Sequence, residues 1–193
     1  MARIKGLALR ARLDFLETKF GREGLLKVLE TLPPRQREVL AHGVLISSWY
    51  PLELSDALLG GAERVHGRSD GALCQEIGAA SGRKGLTTVY RVFTSNSQSE
   101  AIGEQMAKTT ALVWQTYYDT GRFSTCVLGE NSIRSELTGM KLEAPWLCHI
   151  LLGYQAAHIE VLGGCKVVVT HPECTLRGDN SCAWVSRWEL PSS

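Results

Sequence analysis

No stretch of the sequence approaches the ~20 uninterrupted apolar residues of a membrane-spanning helix. Arg3, Lys5 and Arg10 break the apolar residues at the start, so no signal-peptide core forms there. Charge of one sign is also missing: 21 Lys and Arg against 20 Asp and Glu leave a formal net charge of +1. Such a balance gives no general pull toward nucleic acid or anionic lipid. There is no GxSxG elbow, HExxH, P-loop or dinucleotide fingerprint, so each standard enzyme class lacks its mechanical parts. Repeats, low-complexity tracts and linkers are absent too. The expectation is a cytoplasmic, non-enzymatic chain with no transmembrane segment and no nucleic-acid partner.

What is present is ordinary globular composition, 44% hydrophobic and 21% charged over 193 residues. A chain of that length buries roughly 70% of its unfolded surface and needs no disulfide for stability. Six cysteines without an export signal therefore read as thiols or metal ligands.

Periodicity predicts helices through most of the first 120 residues. Leu9, Leu13, Leu16 and Phe20 share a face up to a stop at Gly21, and Leu25 to Leu32 continue to Pro33-Pro34. Trp49-Tyr50-Pro51 reads as a helix entry ahead of the Leu52, Leu54, Leu58, Leu59 stripe, with Gly60-Gly61 weakening it. Two short amphipathic pieces, Leu73 to Ala80 and Leu86 to Phe93, precede a long helix from about Glu100 to Tyr118. Strand alternation begins at Phe123, with a hairpin around Gly129-Glu130-Asn131. A helix from Pro145 to Leu162 and a second hairpin around Arg177 to Asn180 follow. The fold class is α+β: one domain over 1–193, mainly helical over 1–120, with a hairpin–helix–hairpin unit and a small antiparallel sheet over 121–193.

Cys174 and Cys182 flank seven residues that contain a Gly178-Asp179 turn, which brings both thiols to one end of a hairpin. Zinc wants four N or S ligands. Cys148 in the preceding helix is the third candidate and His171 the fourth, with Glu173 as a substitute; the alternative is buried free cysteines. Cys74, Cys126 and Cys165 have no partner at ligand spacing.

The run Ala144 to Cys148, Gly153-Tyr154, and Glu173 to Trp184 with Cys174, Gly178-Asp179 and Cys182 resembles the 4-vinyl reductase domain family. The earlier part, including Ser47 to Leu52 and Val113 to Tyr118, resembles a myxobacterial family of uncharacterised paralogues described as haem-NO-binding-like. The resemblance implies a fold related to TRAPP vesicle-transport subunits and to sensory domains of aromatic-responsive regulators. Carried over from the sensory domains, Cys148, Cys174 and Cys182 become zinc thiolates, and His171 takes the place of an acidic ligand. A closed four-ligand zinc is structural, with no open position for water.

The resemblance further implies a small hydrophobic ligand walled by aromatics, for which Trp49, Tyr50, Tyr90, Trp114 and Tyr117 are the candidates, with core packing as the alternative. Homodimerisation or a protein partner would pass the signal on. The competing class is a ligand-free, TRAPP-like interaction scaffold, and the chain's end at Ser193 soon after the cysteine motif reads as a stand-alone adaptor. Haem is set aside. The haem-NO family's Tyr-x-Ser-x-Arg clamp is echoed only by Tyr118-Thr120-Arg122, and no histidine lies at the family's upstream distance.

Overall fold

A computed structural model describes residues 2–88 and 101–191. Among them, strand β1 (Arg3–Lys5) leads into helix α1 (Gly6–Glu30), α2 (Pro34–Ala41), strand β2 (Trp49–Pro51), α3 (Leu52–Val65) and α4 (Ala72–Thr88). After the undescribed segment come α5 (Ile102–Tyr117), β3 (Arg122–Gly129), β4 (Ser132–Thr138), α6 (Trp146–Val161), β5 (Cys165–Glu173) and β6 (Cys182–Glu189). The architecture is α+β, with helices over the first two-thirds and a closing antiparallel sheet in the order β3-β4-β6-β5. The two hairpins thus share one sheet through β4 and β6, where Ile133 pairs with Ser186 and Leu137 with Cys182.

Local reading fails where a distant partner or a close approach intervenes. The expected break at Gly21 is present, since its φ of +73° and ψ of 171° are non-helical and divide α1 into the two helical segments read from the sequence. Trp49 to Pro51 do lead into α3, with Pro51 at its N-cap, but they also form a strand paired antiparallel with Arg3 to Lys5 from the start of the chain. A window of neighbours cannot see that partner. Likewise α3 runs through Gly60-Gly61, which looked weakening, and α4 continues past Ala80, where a break between two pieces was expected, as far as Thr88. At Gly60 the missing side chain makes room for the Trp146 indole.

The decisive approach is between α4 and α6. A Cβ on Gly78 would run into the Ile150 carbonyl, and one on Gly153 into that of Gln75. The helices therefore meet backbone to backbone, with Ile77 and Leu147 buried beside the contact. The core continues into the sheet through Ile133, Leu137 and the fully buried Trp184.

Gly153→Ala should therefore lower stability by about 1–3 kcal/mol in urea denaturation, the usual cost of overpacking. Gly163→Ala, at φ +101° with nothing near its Cβ, should cost less and only through backbone strain.

Candidate functional site

Two features stand out, a thiol–imidazole cluster beneath the sheet and a cavity between the helices. The cluster joins Cys148 in the first turn of α6, His171 on β5, Cys174 just after β5 and Cys182 opening β6, with ligand atoms all within 4.8 Å of one another. Cys148 Sγ lies 4.0 Å from Cys174 Sγ, and Cys182 Sγ 3.8 Å from it. A tetrahedron with ~2.3 Å metal–sulfur bonds has edges of ~3.8 Å, so these spacings suit one shared ion.

The turn between β5 and β6 is built to present sulfur. Cys174 N–H donates to Asp179 Oδ2 at 2.7 Å, and Gly178 adopts φ +94°. Thr175 N–H donates to Cys182 Sγ at 3.4 Å. The Cys148 thiol leads the groups that hold the Cys182 sulfur toward its thiolate form, well below an ordinary thiol, while Cys148 itself is pushed upward by that same hydrogen bond and by burial. His171 stacks on Trp184 at 4.7 Å, and its buried Nε2 has no hydrogen-bond partner.

The cavity, about 170 Å³, lies between α1, α4, α5 and α6. Ala8, Ala11 and Arg12 come from α1, Ser81 and Gly85 from α4, Met106, Thr110, Val113, Trp114 and Tyr117 from α5, and Gln155 and His158 from α6. Arg12, Gln155 and His158 are deeply buried polar groups of its lining, while Arg10 and Lys84 are exposed. Gln155 is 1% exposed and neither amide atom has a hydrogen-bond partner. His158 is 3% exposed, and burial pushes its pKa down to about 4, leaving a neutral ring near pH 7. Arg12 donates to Ser55 Oγ and, at 3.1 Å, to Tyr118 OH.

Of the aromatic candidates, Trp114 and Tyr117 line this cavity. Trp49 and Tyr50 do not: they lie on β2, where Lys5 sits over the Trp49 ring at 4.4 Å and Tyr50 OH accepts from Leu45 N–H. Tyr90 falls outside the described residues. Sequence reasoning missed Arg12, Gln155 and His158. Their only signal was a polar or charged residue on the buried stripe of an amphipathic helix. Nor does Tyr118-Thr120-Arg122 form a clamp, since Tyr118 is buried against Arg12 while Arg122 is exposed.

At the level of sequence, no family profile and no curated protein matches the chain. Solved structures do. An H-NOX protein from K. algicida in its unliganded Fe(II) form has 14% identity, with 98% of each chain covered and a TM-score of 0.72. An H-NOX protein from S. oneidensis in its Fe(II)NO state has 13% identity, covering 96% of this chain and 99% of its own, at a TM-score of 0.69. A mutant of the S. oneidensis protein in the Fe(II) state reaches 0.73 at 12% identity. The fold is therefore that of haem-NO-binding domains.

This overturns the resemblance to 4-vinyl reductase domains, to their TRAPP relatives and to the myxobacterial paralogues. The motif behind it occupies one helix start and one tight turn, a local arrangement that does not dictate how the rest of the chain is folded. The cofactor expectation put a structural zinc ion in place of haem, and its setting aside of haem is overturned by the same likeness to haem–iron proteins, while the Cys/His cluster itself is present. That reading sought a histidine upstream, whereas the imidazole that reaches this cavity comes from α6, downstream of the first hairpin.

His158 gives the cavity a pH signature. Its folded pKa lies below the unfolded value, so the unfolded chain binds the extra proton first and stability falls as pH drops from about 6.5 to about 4. Asp56, raised by burial to about 6, works in the opposite sense over the same range. Relative to the wild type, His158→Gln should therefore gain about 3 kcal/mol between pH 7 and pH 4, read by urea denaturation at both pH values.

Proposed function

We propose that this chain is a non-catalytic sensor domain that holds haem in the interhelical cavity and responds to a diatomic gas. The observation that carries the reading is the buried, neutral His158 imidazole in a largely apolar cavity, in a fold shared with haem–iron proteins. Neutral imidazole is the form that ligates iron, and an axial histidine is a standard haem ligand. Trp114, Val113 and Ala11 offer apolar walls, and Arg12 places a buried cation where a carboxylate would meet it. The donors present thus fit haem. The cavity of about 170 Å³ is close to the ~150 Å³ cavities that take benzene, so the space present accommodates one ring of the macrocycle. When bound, haem would supply an iron that takes the gas; the chain's part would be for His158 to ligate it and for the apolar walls to shield it from water.

Reconstitution with haem should give a Soret band at about one haem per chain that shifts on adding nitric oxide and is lost or moved in His158→Ala. Failure of the wild type to give any Soret band would overturn the reading.

The cysteine cluster supports a second, separate reading, that Cys148, His171, Cys174 and Cys182 hold one thiophilic divalent cation. The near-tetrahedral sulfur spacings and the orphaned His171 Nε2 are what support it. Elemental analysis should find about one such ion per chain, and Cys174→Ser should lose it with a marked drop in Tm. Metal-free wild-type protein purified without chelator would sink this reading.

A further inference from the structure

Arg12 is a buried cation without a carboxylate. It is 3% exposed, it lines the cavity, and among the described residues its terminal nitrogens meet only the hydroxyls of Ser55 and Tyr118. Among the described residues no acid lies within ion-pair distance of it; Asp56, whose charge it feels, stands farther away. A guanidinium withdrawn from water is strongly disfavoured unless an anion meets it. The acid that lines the cavity, Asp14, is already engaged by Arg10 at 3.1 Å.

A second observation is independent of charge. The Gln155 amide, 1% exposed, lines the same cavity with both its donor and its acceptor unmet. Buried amides seldom go unpaired, and each unmet group costs free energy that a ligand recovers. His158, from the same face of α6, adds a neutral ring nitrogen able to donate or accept.

We infer that the cavity binds a flat, largely apolar ligand bearing a carboxylate, with Arg12 meeting the charge and Gln155 and His158 meeting a polar edge. The inference rests on the cavity being the ligand site proposed above, but not on haem. A haem propionate and a free aromatic acid present the same chemistry, a planar apolar body with a carboxylate on its rim. The Arg12 guanidinium forms a bidentate, charge-assisted pair with either.

The test is calorimetric titration of the full chain with two pairs of probes: haemin against its dimethyl ester, and 4-hydroxybenzoate against 4-hydroxybenzamide. In at least one pair the acid should bind about ten- to a hundredfold tighter than its neutral partner, as a charge-assisted hydrogen bond gives. That advantage should vanish in Arg12→Gln and survive in part in Arg12→Lys. The acid-against-neutral comparison uses the unaltered chain, so it decides the matter even if loss of the Ser55 and Tyr118 contacts unfolds Arg12→Gln. Preference confined to the benzoate pair, with no haemin binding, supports the inference and removes haem. Haemin and its ester binding within about twofold of each other, with no benzoate preference, overturns the inference and leaves the haem reading intact. Binding of none of the four probes overturns both.

Discussion

The rest of the structure depends on the absence of side chains between α4 and α6. Gly78 lies against the Ile150 carbonyl and Gly153 against the Gln75 carbonyl, so the helix separation is set by backbone atoms and leaves no slack for repacking. From this fixed contact α6 presents two chemistries. Cys148, in its first turn, faces the β5–β6 turn, and His158, ten residues on and ~15 Å along the axis, faces the cavity. A helix held less rigidly would place neither donor reliably.

Between the two sites runs a row of rings. Tyr118 stacks on Trp114 at 4.1 Å, Trp114 tilts against Phe123 at 5.3 Å, Phe123 meets Trp184 edge-on at 5.7 Å, and Trp184 stacks on His171 at 4.7 Å. Each such pair contributes about 0.5–1.5 kcal/mol beyond the apolar area it buries. Together they tie α5 to the sheet and give cavity and cysteine cluster one shared wall. The Trp114 indole N–H donates to Thr120 O, so a ring at the cavity surface also fixes the chain entering β3.

Polar groups are distributed unevenly through this core. The surface ion pairs, such as Arg10 with Asp14 and Lys27 with Glu23, lie on exposed helix faces where they contribute little. Arg12, Gln155 and His158 are withdrawn from water, Gln155 with neither amide atom paired and Arg12 with two hydroxyls in place of a carboxylate. Retaining such groups costs stability, and natural cores depart from full satisfaction chiefly where a ligand completes the pairing.

Helix faces, the two hairpins and the turn carrying Cys174, Gly178 and Cys182 could be read from the sequence, because each is set by residues within a few positions of one another. That same locality made the kinship misleading: a cysteine turn after a helix says little about what the other residues enclose. The β1–β2 ribbon, the unbroken α3 and α4, the meeting of Trp114 and Tyr117 with Arg12, Gln155 and His158, and the exclusion of Trp49 from that group were decided by tertiary structure alone. They depend on contacts between residues far apart in the chain, and on burial, which keeps a histidine neutral and leaves an arginine facing hydroxyls alone only after the helices have closed around them.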